Sequence, residues 1–218
     1  MTLLLGHPKR VVIIAPHPDD ETIGAWGLMR RLRRSGAAVE VIVVSDGGGS
    51  HPASRAWPKP RLIKARMRET RQAMRAIGIL PGACTFLRLP DGELAARFGQ
   101  LQSRLRRTLW RRRAPCLVVG PAMGDAHPDH HAVARALWRS RRRGERRLSY
   151  HVWPEGAGIS TRSVTEHLGS AAMPAKRRAV LSYRTQTGII RDAEAGFAMT
   201  HRHLRHFVRP RELFTVVP

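Results

Sequence analysis

The sequence predicts an α/β protein with a mostly parallel sheet and helices on both faces, in a single domain. Short apolar runs alternate along the chain with segments of helical periodicity. The length of 218 residues suits one domain with a sizeable core. In addition, polar motifs directly follow two of the apolar runs, and open α/β sheets bind their ligands at the carboxyl ends of the strands.

Strands are predicted where short apolar runs are bounded by turn residues. The five predicted strands are Arg10 to Ala15, Val39 to Ser45, Thr85 to Leu89, Cys116 to Gly120 and Leu148 to Val152. The segments between them are long enough for crossover helices, which is why we expect parallel pairing.

Helices are predicted by apolar residues that recur every three or four positions and by glycines that follow the last turn. The predicted helices are Glu21 to Arg34, Arg61 to Ile77, Leu94 to Arg112, His130 to Arg142 and Ala175 to Ser182, with His201 to His206 helical or irregular. We expect the core of the domain to span about residues 10 to 190, with a C-terminal extension at 191 to 218.

The composition is strongly basic, with a net charge of +23 and only four lysines among 39 basic residues. Such a charge favours polyanion partners. However, the clusters Arg30 to Arg34, Arg106 to Arg113 and Arg139 to Arg147 lie towards predicted helix ends, where cations oppose the helix dipole. We therefore expect nucleic acid not to be the main partner. The two cysteines are predicted to be free. With no signal-like or membrane-spanning segment, the protein is expected to be cytoplasmic.

Two polar motifs carry the chemistry. Residues 16–21, Pro-His-Pro-Asp-Asp-Glu, follow the first predicted strand, and residues 125–131, Asp-Ala-His-Pro-Asp-His-His, follow the fourth. Desolvating this many ionisable side chains is costly unless they serve a metal centre. Catalytic zinc typically has three histidine or carboxylate ligands and one open position.

His17, Asp20 and His130 supply that ligand set, and Asp19 remains free beside it as a general base. His127 is close enough in sequence to share the site, where it would stabilise an oxyanion or protonate a leaving amine. Each motif by itself also suits a structural role, because Asp-Asp-Glu at a helix start is common.

The chain resembles the PIG-L/LmbE-like family of zinc-dependent deacetylases, which remove N-acetyl groups from N-acetylglucosamine-type sugars. The resemblance rests on residues 17–21 and 127–130, with further support from 45–47, 66–69, 89–92 and 183–186. It implies a Rossmann-like fold, zinc on His17, Asp20 and His130, Asp19 as general base and His127 as stabiliser or acid. Another divalent ion such as Fe²⁺ is the alternative cofactor.

Arg66 and Asp91 match family positions that contact sugar hydroxyls or a phosphate, and Gln186 could reach the site from residues 183–186. The structural alternatives are a solvated helix face with an Arg66–Glu69 pair, a Pro-Asp-Gly turn at Asp91 and helix capping by Gln186. Residues 47–49 and 124–126 differ from some relatives, which disfavours a glucosaminyl-inositol substrate.

The predicted reaction is amide hydrolysis of an amino-sugar or glycoconjugate by a metal-activated water, and an anionic substrate would suit the basic surface. Two alternatives are open at this point. One is a metal-dependent amidase or esterase with a non-sugar acyl substrate. The other is a basic polyanion-binding protein with a vestigial site.

Overall fold

The computed structural model describes residues 6, 8–111, 117–153 and 163–217. Its strands are β1 (Arg10–Ala15), β2 (Ala38–Ser45), β3 (Cys84–Leu89), β4 (Leu117–Pro121), β5 (Arg146–Tyr150), β6 (Ser163–His167) and β7 (Arg211–Val217). Its α-helices are α1 (Asp20–Arg34), α2 (Lys59–Arg75), α3 (Phe98–Trp110), α4 (Pro128–Arg139), α5 (Ala172–Leu181) and α6 (His201–Phe207). Short 3₁₀ turns cover Pro81–Ala83 and Arg184–Gln186.

Within the described ranges, seven strands form one sheet in the order β3-β2-β1-β4-β5-β7-β6. The first five strands pair in parallel, and β7 runs antiparallel to both of its neighbours. The predicted mostly parallel α/β fold is therefore confirmed. The five predicted strands each overlap an observed one, and β1 has the predicted bounds.

Both faces of the sheet are covered. Val11, Ile13 and Ala15 of β1 join a core cluster that includes residues of α1 and α2, whereas Val12 and Ile14 join a second cluster with residues of α3 and α4. The strict alternation along β1 follows from the period of two in a strand. Apolar residues on both faces explain why this strand has a continuous apolar sequence.

The strand order places a crevice between β1 and β4. The chain leaves β1 towards β2 on one side, while β4 lies on the other side, so the loops after β1 and β4 diverge at their carboxyl ends. Both polar motifs lie in these loops. The fold thus brings together two segments that are more than a hundred residues apart in sequence.

Strands β6 and β7 were not predicted, and the expectation that the core ends near residue 190 is wrong for the sheet. Strand β7 lies inside the sheet, paired with β5 and β6. Its Glu212 is only 4% exposed. Because a charged residue occupies a buried position of β7, the hydrophobicity pattern of this segment does not predict a strand.

Glu212 stabilises a kink in α1. Ala25 has non-helical angles (φ −142°, ψ 17°). The Glu212 carboxylate accepts hydrogen bonds from the backbone N–H groups of Gly27 (2.8 Å) and Leu28 (3.1 Å). The Nζ of Lys176 donates to this carboxylate (2.7 Å) and to the carbonyl oxygen two residues before the kink (2.9 Å). The buried ion pair therefore occupies backbone groups on both sides of the kink.

The structure bears on the predictions made for the cysteines and for membrane spans. Cys84 is a free, buried thiol, and burial raises its pKa to about 12. Cys116 lies outside the described residues. In the part of the chain that the structure describes, every helix is too short or too polar to cross a bilayer. A cytoplasmic location stays a prediction.

Candidate active site

The loops after β1 and β4 meet at the crevice. His17 and Asp20 come from the first loop and the start of α1, and His127 and His130 come from the start of α4. Pro128 occupies the first turn of α4, where no backbone donor is needed. The Nδ1 atom of His127 accepts a hydrogen bond from the Asp129 N–H (3.2 Å) and so caps the helix.

Three side-chain atoms converge at the centre of the site. His17 Nδ1 lies 3.2 Å from Asp20 Oδ2 and 3.2 Å from His130 Nε2, and the last two atoms are 3.1 Å apart. Ligands that bind one zinc tetrahedrally at about 2.0 Å are separated by about 3.3 Å. Since all three residues are buried, the donor atoms fit a single small divalent cation.

Carboxylates contact the other nitrogen of each imidazole. His17 Nε2 lies 3.2 Å from Asp129 Oδ2 and 3.1 Å from Asp91 Oδ1, and His130 Nδ1 lies 3.2 Å from Asp125 Oδ1. A carboxylate at one nitrogen holds the proton there and leaves the lone pair of the other nitrogen for a metal. We did not predict from the sequence that Asp125 and Asp129 contact the histidine rings. Their position within residues 125–131 was the feature that could have indicated it.

The electrostatics agree with a site made for a cation. Burial lowers the pKa of His17, but the carboxylates of Asp129, Asp20 and Asp91 outweigh it and raise that pKa well above its usual value. Burial also lowers the pKa of His130, but Asp20 and Asp125 together outweigh it and raise that pKa to about 9. Protonated imidazoles neutralise the negative charge of the surrounding carboxylates. A bound metal ion would neutralise the same charge after the imidazoles had lost their protons.

Asp19 is held in a strained backbone conformation beside this centre. Its φ is 125°, a region that non-glycine residues rarely adopt. Its N–H donates to Glu21 Oε2 (3.2 Å), while Arg66 Nη2 donates to Asp19 Oδ2 (3.2 Å) and to the Pro18 carbonyl oxygen (2.7 Å). Burial raises the pKa of Asp19 well above its usual value although Arg66 opposes this. Its carboxylate is not one of the three converging donors.

His127 is half-buried and lies against the other two imidazoles, with ring centroids 4.7 Å from His17 and 5.0 Å from His130. Its Nδ1 accepts a backbone hydrogen bond, so Nε2 carries the proton of the neutral ring. One nitrogen from each of these three histidines lies within 4.8 Å of the other two. They form an alternative donor set, although Asp20 Oδ2 lies within 3.2 Å of both His17 Nδ1 and His130 Nε2.

A cavity of about 220 Å³ opens onto these residues. Arg66, Asp91 and Gln186, the predicted substrate contacts, all line it. Arg66 is 2% exposed, so the solvated-face alternative is wrong. Asp91 accepts a hydrogen bond from the Gly49 N–H (2.9 Å), and the side-chain amide of Gln186 donates to Ser50 Oγ (3.3 Å). The role of Arg66, Asp91 and Gln186 in substrate binding stays a prediction.

The other side of the cavity is apolar, which sequence analysis missed. It is lined by Ile23, Val152, Trp153, Phe197, Met199 and Phe207. Three of these residues come from the segment that we expected to be a C-terminal extension. No sequence motif marks them, because only the folded chain brings them next to the loops that carry the two polar motifs.

The family model described as "GlcNAc-PI de-N-acetylase", PIG-L, matches residues 12–140, which include both polar motifs. The chain belongs to the PIG-L family. A curated relative, the 1D-myo-inositol 2-acetamido-2-deoxy-alpha-D-glucopyranoside deacetylase of Kineococcus radiotolerans, is 35% identical. That match covers 62% of this chain and 45% of the relative. The chain therefore spans about half the length of that protein.

Solved structures also share the fold of this PIG-L family chain. N,N'-diacetylchitobiose deacetylase from Pyrococcus horikoshii is 20% identical with a TM-score of 0.70, over 97% of this chain and 84% of that one. The A40926 pseudoaglycone deacetylase Dbv21 is 18% identical with a TM-score of 0.71, over 96% of this chain and 98% of that one. At such identities the likeness shows the fold.

Proposed function

We propose that this PIG-L family chain is a metal-dependent hydrolase that removes an N-acetyl or other N-acyl group from an N-acetylglucosamine-type sugar or glycoconjugate. The observation that carries the proposal is the convergence of His17 Nδ1, Asp20 Oδ2 and His130 Nε2 within 3.1–3.2 Å of one another, beside a carboxylate that is not part of the set. That combination provides a cation site and a base in one cavity.

In the proposed mechanism, His17, Asp20 and His130 hold the metal, with zinc favoured by the nitrogen and carboxylate donors and Fe²⁺ as the alternative. A divalent ion there supplies a Lewis acid for the amide carbonyl and makes a water more acidic. Asp19 accepts the proton of the attacking water, and Glu21 and Arg66 fix its position. His127 donates a hydrogen bond to the developing oxyanion, or a proton to the leaving amine.

The substrate class follows from the family and from the polar side of the cavity. The family model and the Kineococcus radiotolerans relative both carry names of acetylated glucosamine derivatives. Arg66, Asp91 and Gln186 offer donors and acceptors of the kind that sugar hydroxyls need. An inositol-linked glucosamide belongs in the substrate screen, although residues 47–49 and 124–126 led us to disfavour it.

The test combines metal analysis with an assay for amine release from N-acetylated sugars. Asp19→Asn is the decisive variant, since asparagine tolerates positive φ and keeps the shape of the side chain. We expect it to retain the metal and to lose at least about 10²-fold in kcat. Glu93→Gln, which removes an exposed carboxylate near the site, is the control. Full turnover by Asp19→Asn would contradict the assigned base.

The net charge of +23 keeps polyanion binding as a second candidate. Arginines of the three basic clusters lie against aromatic rings, with distances from Cζ to ring centroid of 5.4–5.6 Å; the pairs are Arg30–Trp26, Arg106–Trp110 and Arg139–Phe98. Such contacts give these arginines a structural role. A steep salt dependence of nucleic-acid affinity, together with no amine release, would favour the second candidate.

A further inference from the structure

The cavity beside the metal-binding residues has two chemically different sides. The sheet order separates part of each side across the β1–β4 crevice. Gly49, Arg66 and Asp91 belong to the segments on the β2 and β3 side, whereas Val152 and Trp153 follow β5. The three converging donor atoms lie between. A carbonyl group held at these donors would therefore have one polar neighbourhood and one apolar neighbourhood.

The apolar side reaches deep into the protein. Ile23 lies one turn after Asp20 in α1 and is 7% exposed, and Val152, Met199 and Phe207 are also buried. Trp153 and Phe197 are half-buried and stand nearer the surface. The ring centroid of Trp153 is 5.5 Å from that of Phe207 and 5.8 Å from that of Phe197, so the aromatic residues form one continuous cluster.

Backbone hydrogen bonds fix this apolar side to the polar residues of the site. The Phe197 N–H donates to the Ser50 carbonyl oxygen (2.8 Å), and the Met199 N–H donates to the Gln186 carbonyl oxygen (2.7 Å). The Val152 N–H donates to Asp125 Oδ2 (2.8 Å). The apolar surface is thus held in a defined position relative to the metal-binding histidines, as a binding pocket requires.

The carbonyl carbon of an N-acyl amino-sugar carries two substituents, a nitrogen bearing a polyhydroxylated ring and a hydrocarbon chain. The ring needs hydrogen-bond partners, which only the polar side supplies in number. The hydrocarbon chain must then enter the apolar side. A single acetyl methyl group would leave most of this surface in contact with water, at a cost in hydrophobic free energy.

We infer that the apolar side is an acyl-chain pocket, and that the enzyme prefers N-acyl glucosamines with chains longer than acetyl. This inference rests on the proposed function and narrows its substrate class. Water adds to the acyl carbon, the C–N bond breaks, and both protons of the water end on the leaving nitrogen. The products are the carboxylate of the acyl chain and the glucosamine in its ammonium form.

The test is a series of N-acetyl-, N-butanoyl- and N-hexanoyl-D-glucosamine, with kcat/KM measured on the metal-loaded enzyme. Burial of each methylene group favours binding by about fourfold, so we expect kcat/KM to rise by about fifteenfold from acetyl to butanoyl. A binding measurement accompanies it, with calorimetric affinities of the same three compounds for the Asp19→Asn variant. These affinities should rise in parallel.

Phe197→Ala tests the assigned surface. It should lower the ratio of the hexanoyl to the acetyl kcat/KM by about fivefold, because part of the apolar contact is lost. Phe98→Ala is the matched control, since Phe98 lies on α3 outside the cavity, and it should leave this ratio unchanged. The wild-type series decides the inference even if Phe197→Ala does not fold.

The possible failures are distinguishable. If acetylglucosamine is hydrolysed as well as or better than the longer compounds, the acyl-chain pocket is overturned and the proposed function stands. If no compound releases an amine, the proposed function is overturned, and the calorimetric series alone decides the pocket. Affinities that do not change with chain length would then overturn it, and affinities that rise would support it.

Discussion

Replacing Asp129 with asparagine is expected to weaken metal binding by about 10–100-fold, which is about 1.4–2.7 kcal/mol. Both carboxylate oxygens have defined partners. Oδ2 accepts a hydrogen bond from the Gly92 N–H (2.9 Å) and lies 3.2 Å from His17 Nε2, while Oδ1 accepts from the Leu94 N–H (3.0 Å). An amide has one acceptor oxygen, so its NH₂ group must face one of the two backbone donors.

The loss has two physical parts. A neutral acceptor polarises the imidazole of His17 less, so Nδ1 becomes a weaker ligand, and the mismatched backbone donor adds about 1–3 kcal/mol of instability. The assay is a competition titration of metal-free protein with a chromophoric zinc chelator. Thermal unfolding in the presence of a chelator separately measures the loss of stability caused by the mismatched backbone donor.

Glu93→Gln is the control for the Asp129 variant, because it removes the same charge from an exposed position and leaves His17 untouched. Its metal affinity should equal that of the wild type. A folded Asp129→Asn protein with a metal dissociation constant within about twofold of the wild type would refute the role assigned to this carboxylate.

Three further perturbations test the fold and the site. Gly24→Ala would place a Cβ against the ring of Tyr150 in a clash and should lower the free energy of unfolding by about 1–3 kcal/mol. Gly99→Ala, whose Cβ would meet nothing within 4 Å beyond its own helix and chain neighbours, should raise it by about 0.5–1 kcal/mol, and equal effects in chemical denaturation would contradict this packing. Glu212→Gln leaves Lys176 without its buried counter-charge and should lower the free energy of unfolding by about 3–5 kcal/mol in the same assay. A decrease below about 1 kcal/mol would show that the ion pair does not stabilise the kink in α1. Removal of the metal with a chelator should abolish amine release and leave the far-ultraviolet circular dichroism nearly unchanged, because two large apolar clusters cover the sheet; loss of the fold would contradict a purely catalytic metal.

The candidate metal-binding residues could be recognised from the sequence because they are contained in two short motifs. His17, Asp19 and Asp20 follow β1 within five residues, and His127 and His130 begin α4. Continuous apolar runs located β1 and β4. Because parallel strands present their carboxyl ends at one edge of the sheet, the two motifs were expected to lie close together. The five residues lie side by side in the structure, while their catalytic roles stay predictions.

The sequence did not predict the hydrogen-bond and charge partners of Arg66 and Asp125. The guanidinium of Arg66 contacts Pro18, Asp19 and Gly47, segments remote from α2 in sequence. Asp125 contacts an imidazole and also the backbone of Val152. Hydrogen-bond partners across such distances depend on how the elements pack, and residue type alone allows a surface role for both side chains.

The amino-acid sequence by itself determined the fold class, the elements that carry the candidate site and the residue types offered there to a metal, because apolar runs, helix periods and residue types are local properties of the chain. Only the tertiary structure decided that β7 lies within the sheet and that the Lys176–Glu212 pair stabilises the kink in α1. It also decided that the cavity has an apolar side, formed in part by Val152, Trp153, Phe197, Met199 and Phe207. These features depend on contacts between distant segments, where buried charges and scattered apolar residues leave no periodic signal in the sequence.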